Sequence, residues 1–150
     1  MNKDFAIVVK NLDKSFGKKK IIDCISFNVE KNKISGLLGF NGSGKSTIMK
    51  IIVGLTCFDD GDIFFSDLNI KKDQNEIKKK IGFLSENNPL YTDMYVLEYL
   101  DFISKIYGLE EKKIKEKCEE VMLYADLIEK KNEKIKNLSK GFRQRVGIAQ

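Results

Sequence analysis

The sequence predicts an α/β fold with a helical portion in its second half, and three features predict it. Short apolar runs, β-branched at 5–10 and apolar at 34–38, 63–65 and 81–84, suit strands. A glycine-rich segment joins the run at 34–38 to a stretch whose apolar spacing changes, from Gly44 on, to the 3.6-residue period of a helix. From about residue 95 helical spacing dominates.

Taken in order, FAIVVK at 5–10 is the first strand. In residues 22–29, Ile25, Phe27 and Val29 alternate with Ser26 and Asn28, the period-2 pattern of a half-buried strand. Lys31–Lys33 give a turn. Ile34–Leu38 then form an uninterrupted apolar run suited to a buried strand. Ile48, Ile51, Ile52 and Leu55 share one face of the helix that follows. Asp59-Asp60-Gly61 is a turn signal before the strand at Ile63–Phe65, and Ile81–Leu84 is a further short strand. The loop at 85–94 holds Pro89, the only proline. Val96, Tyr99, Leu100, Ile103 and Tyr107 lie on one helical face that breaks at Gly108, and Ile114, Cys118, Val121, Met122 and Ala125 lie on another. Ser139 suits the N-cap of a last helix reaching Gln150. The expected layout is a core over about 1–94 with an antiparallel β portion, a helical subdomain over about 95–138, and a motif with its helix at 138–150.

Composition narrows the function classes. A chain of 150 residues, 42% hydrophobic and 33% charged, is globular and long enough for one sizeable core. Its net charge is +5, but Arg143 and Arg145 are its only arginines. Lysine is a solvated point charge, whereas groove reading favours the arginine fork. The lysines at 18–20, 71–72, 78–80 and 112–117 alternate with acids or sit in turns, so a solvated surface is expected and no nucleic-acid partner. Attraction to an acidic membrane surface stays open. Cys24, Cys57 and Cys118 form no metal-type pair and suit reduced thiols in a cytosolic protein. There is no histidine, which removes imidazole from any site these residues build. No apolar run nears the roughly 20 residues that cross a bilayer, and MNKDFAIVVK at the start lacks the apolar stretch of a secretion signal.

GFNGSGKST at 39–47 carries the chemistry. It matches G-x-x-x-x-G-K-[ST], with Gly39, Gly44, Lys45 and Ser46 at the fixed positions. A triphosphate presents several negative charges that need desolvated donors. Consecutive amides in a tight loop make an anion nest, through Asn41, Gly42, Ser43 and Gly44, and the helix N-terminus adds about half a positive charge. Lys45 suits the β- and γ-phosphates, the Ser46 hydroxyl suits Mg²⁺, and Thr47 suits the α-phosphate. ATP with Mg²⁺ is the expected ligand.

A second motif, NLSKGFRQRVGIAQ at 137–150, resembles the signature of the ABC ATPase family, commonly written LSGGQ. Leu138, Ser139 and Gly141 match; Lys140 stands where the family has glycine and Phe142 where it has glutamine. The resemblance runs over essentially the whole chain. NLDKSFG at 11–17 looks like the A-loop, in which Phe16 would stack on adenine. IGFLSENNPLYTDMYVLEYL at 81–100 looks like the Q-loop region, with Glu86 in place of the usual glutamine and so a carboxylate near Mg²⁺ or the attacking water.

The resemblance implies a P-loop NTPase fold of the ABC type, with the C-terminal part of the sheet missing from these residues. It also implies an ATP-binding subunit that drives solute transport. Its partners are transmembrane permease subunits and a second ATP-binding domain, whose bound ATP Ser139 and Gly141 contact in trans, and its place is the cytoplasmic face of the membrane. SENNPLY resembles export-type members. The family's Mg²⁺-associated aspartate, catalytic glutamate and switch histidine follow the signature helix, so residues 1–150 are expected to be inactive alone. Two rivals stand beside this reading. A soluble ABC-type ATPase of translation or DNA repair would need a second cassette, a coiled coil or a nucleic-acid segment. A non-enzymatic truncated fragment would hold nucleotide without using it.

Overall fold

A computed structural model describes residues 4–150; the first three residues of MNKDFAIVVK lie outside the described residues. The chain divides into two compact units, one ending at Phe83 and one over Leu84–Gln150, each with its own apolar core.

In the first unit β1 (Phe5–Phe16) and β2 (Lys19–Glu30) make a long antiparallel hairpin. β3 (Asp60–Phe65) pairs antiparallel with the other side of β1, and β4 (Leu68–Asn69) adds to β3, giving the order β2-β1-β3-β4. Helix α1 (Lys45–Ile52) and the short α2 (Gln74–Lys78) complete the unit. Ile48, Ile51 and Ile52 recur at helical spacing and join Val9, Leu12, Ile22 and Ile63 of the sheet in one buried cluster. Each such side chain contributes about 1.5–3 kcal/mol by leaving water. That cluster fixes the start of α1, and hence the segment at 39–47, against the sheet.

β1 runs past the apolar stretch at 5–10. It continues through register shifts around Leu12 and Lys14, with Asn11 at φ 46°, as bulged strands do. Ile34–Leu38 and Ile81–Leu84 form no strand, in contrast to the sequence expectation. Ile34 is fully exposed, and Leu38 (92%) and Phe40 (90%) nearly so. The reason is that a strand needs a neighbour for its amides and carbonyls, and among the described residues no chain pairs with these runs. Apolar content marks these segments but does not by itself supply a ladder.

In the second unit α3 (Val96–Ile106), α4 (Glu111–Tyr124) and α5 (Lys140–Ala149) pack around Tyr99, Leu100, Cys118, Met122, Leu127, Leu138 and Val146. The helix ends follow one device. The amides of Gly54 and Leu55 donate to the carbonyls of Ile51 and Lys50, those of Gly108 and Leu109 to Lys105 and Ser104, and those of Asp126 and Leu127 to Leu123 and Met122. These stops shorten two expected helical faces: Leu55 and Tyr107 fall beyond the last turn and are exposed. Leu127, carried inward by the third stop, is buried instead. Among the described residues no helix is long and apolar enough to cross a membrane.

Candidate functional site

The segment 39–47 leads directly into α1. Gly44 is the N-cap at φ 90° and ψ 2°, a left-handed conformation. A Cβ on it would stand 3.2 Å from the carbonyl oxygen of Ile21 and 3.3 Å from Ile21 Cγ2. Glycine is therefore needed there for conformation and for room. Because this cap has no side chain, the first-turn amides of Lys45, Ser46 and Thr47 have neither an intrahelical acceptor nor a side-chain cap. No acid lies in that turn, so the positive end of the helix is uncompensated.

Lys45 curls back over its own loop. Its Nζ donates to the carbonyl of Gly39 at 2.8 Å and to that of Phe40 at 2.7 Å, while the Ser43 amide donates to Phe40 at 3.2 Å. Asn41, Gly42, Ser43 and Ser46 are exposed, and Thr47 is half-buried. The loop thus gathers an ammonium, a set of free amides and a hydroxyl at one helix end, a donor set suited to a polyphosphate. It also fits Mg²⁺, which keeps several waters and phosphate oxygens and takes only one or two protein ligands. The Ser46 hydroxyl is of that kind. Phe16, the last residue of β1, is 53% exposed and presents its ring to solvent.

In the second unit Glu86 is exposed in the loop after Leu84. The loop is braced from both sides of it. The Ser85 hydroxyl donates to the carbonyl of Asn87 at 2.8 Å, and Asn88 Nδ2 donates to the carbonyl of Arg143 in α5 at 3.3 Å. Gly147 of α5 leaves the space that Asn88 and Leu84 fill. Ser139 caps α5 as its sequence position suggests, its hydroxyl accepting from the Phe142 amide at 3.3 Å. Gly141 is exposed in a first turn that, like that of α1, carries no acid.

Phe142, at the position where the signature has glutamine, is half-buried against the helical core. Lys130 Nζ stands 5.5 Å from its ring centre and the Arg145 guanidinium 5.2 Å, and Arg145 pairs in turn with Asp126. The ring is part of the scaffold of the signature helix. Phe16 and the glycine loop therefore share the first unit, and Glu86, Ser139 and Gly141 share the second. Sequence reasoning missed Asn88, the brace between the Glu86 loop and α5. Its only trace is the glycine 59 positions on, which reads as an ordinary helix residue.

An α/β unit with a glycine loop opening onto a helix, followed by a helical unit ending in a capped signature helix, defines an ABC-type P-loop ATPase core. Residues 22–150 match the family described as ABC transporter, and the chain belongs to that family. It is 38% identical over 139 residues to the linearmycin resistance ATP-binding protein LnrL of Bacillus subtilis, covering 93% of this chain and 45% of that protein. It is 31% identical to the methionine import ATP-binding protein MetN of Clostridioides difficile, covering 95% and 46% respectively. The solved structure of cbiO1 from Clostridium perfringens, part of the ABC transporter complex cbiONQ, superposes with a TM-score of 0.82 over 97% of this chain and 60% of that one. At 24% identity that likeness speaks for the fold alone. The chain spans about half the length of the curated relatives it matches.

Proposed function

We propose that this chain is the ATP-binding front of an ABC transporter subunit. Gly39–Thr47 holds the triphosphate, Ser46 ligates Mg²⁺ and Phe16 carries the adenine, while Glu86 stands at the sequence position of the family's Q-loop glutamine. The observation that carries this reading is the start of α1, where Lys45 and uncapped amides converge with no acid beside them. Such a site gives a polyphosphate directed donors and an uncompensated helix end.

In the whole protein, Ser139 and Gly141 contact the ATP of a second ATP-binding domain, and closure around two nucleotides moves permease subunits at the cytoplasmic face of the membrane. The related protein named for methionine import favours transport over translation or repair. Residues 1–150 bind ATP without turning it over, because the catalytic glutamate that the family resemblance implies lies after the signature helix.

Calorimetric titration of the protein with Mg-ATP tests the binding claim. Saturable binding that Lys45→Ala weakens supports it. Identical affinities for the two proteins, or no binding by a cooperatively folding wild type, overturn it. Turnover by residues 1–150 that Lys45→Ala abolishes would overturn the inactivity claim.

A further inference from the structure

Phe16 is held by a contact that its motif does not announce. Asp59, in the turn before β3, reaches across to the end of β1. One carboxylate oxygen accepts from Lys14 Nζ at 2.8 Å and the other from the Ser15 amide at 2.6 Å, while its own amide donates to the Asp13 carbonyl at 2.9 Å. A single residue thus ties down three consecutive positions of β1, where the strand register is shifted, immediately before Phe16.

Lys14 is the unusual member. The other paired lysines are more open, with side chains 34% exposed or more, but the Lys14 side chain is only 12% exposed, and its Nζ lies 5.2 Å from the centre of the Phe16 ring. An exposed ion pair adds little to folding. This one occupies one face of an aromatic ring with a cation and leaves the ring half-exposed.

We propose that Asp59 and Lys14 are positioning residues for nucleotide recognition: Asp59 orients Lys14, and Lys14 fixes Phe16 so that its opposite face receives a planar base. The proposal rests on reading Phe16 as the adenine-stacking residue. A ring already held loses less freedom when ligand binds, so releasing it weakens the base contact and leaves the phosphate contacts alone. Loss of about three- to tenfold in affinity is the scale of one immobilised side chain.

The test uses the full-length protein and two ligands in the presence of Mg²⁺: ATP, and inorganic tripolyphosphate, which has no base. Asp59→Asn and Lys14→Met are expected to weaken ATP binding about three- to tenfold while tripolyphosphate binds as before. In a Phe16→Ala background Asp59→Asn should add no further loss. Wild-type ATP affinity in both single variants overturns the proposal. So does equal weakening toward both ligands, or an Asp59→Asn effect that persists without the ring; each would mark a purely structural role. Failure of the underlying reading looks different. A wild type that binds neither ligand removes the phosphate site, and a Phe16→Ala protein with unchanged ATP affinity removes the stacking role; either result takes this proposal with it.

Discussion

The side-chain amide of Asn88 occupies the space that the missing side chain of Gly147 leaves: a Cβ at 147 would collide with Asn88 Nδ2 and meet Leu84 Cδ1 at 2.6 Å. The loop bearing Glu86 and the helix following Ser139 are thereby packed backbone to side chain. Asn88 is also bonded to Arg143 and accepts from Gln150 at 3.5 Å. Gly147→Ala should therefore push Asn88 off α5 and cost about 1–3 kcal/mol, the range for overpacking a tight site. Urea unfolding measures the loss. Adding Asn88→Ala should recover part of it, whereas a helix simply improved by alanine would gain stability from Gly147→Ala.

Lys45 makes its case through charge. In the described state its ammonium is satisfied by two loop carbonyls, so its removal does not leave a buried charge alone. Lys45→Met should leave the ligand-free melting temperature nearly unchanged and weaken ATP binding about 10- to 100-fold, the worth of a charge-assisted contact. Calorimetry and melting with and without Mg-ATP separate the two effects.

The three cysteines should differ in reactivity. Cys24 and Cys57 are exposed, whereas Cys118 is 1% exposed in the helical core, where burial raises its thiol pKa despite the Ser104 hydroxyl beside it. The thiolate is the reactive form. A thiol reagent at neutral pH is expected to modify two sites promptly and the third only after denaturation, and mass spectrometry of the labelled peptides assigns them.

Acid should loosen both units through particular carboxylates. The Lys20 ammonium holds the Asp13 carboxyl below its ordinary 3.8, helped by the Cys24 amide; Lys14 and the Ser15 amide do the same for Asp59, and Lys136 for Asp93. A carboxyl whose folded pKa is depressed contributes stability above its unfolded value and loses it as pH falls through the folded one. Because these pairs are exposed, urea midpoints should hold from neutral pH to about 5 and fall only slightly below about 4. Asp59→Asn should flatten part of that drop; an unaltered acid profile in this variant would show that the Lys14 pairing does not contribute.

Local pattern made much of this molecule legible. The alternation of Ile25, Phe27 and Val29, the helical spacing of Ile48, Ile51 and Ile52, and Ser139 as a cap are statements about neighbours in sequence, and the structure carries all three. The glycine loop was readable as a turn opening a helix because its pattern is contiguous, and Gly44 is the N-cap of α1. What escaped depends on distant partners. Ile34–Leu38 has strand composition but no ladder, since pairing is non-local. Lys14 and Asp59 meet across 45 positions, and Asn88 and Gly147 across 59, with nothing in their surroundings to announce it. Phe142 is a departure from the signature whose use, as a ring between Lys130 and Arg145, follows only from tertiary packing.

The bare ribbon around Ile34, Leu38 and Phe40 has a practical consequence. Open main-chain groups flanked by greasy side chains are a template for cross-chain association. Residues 1–150 prepared at high concentration should scatter light and clump. Replacing Leu38 and Phe40 with lysine should keep such a preparation clear without touching either packed core.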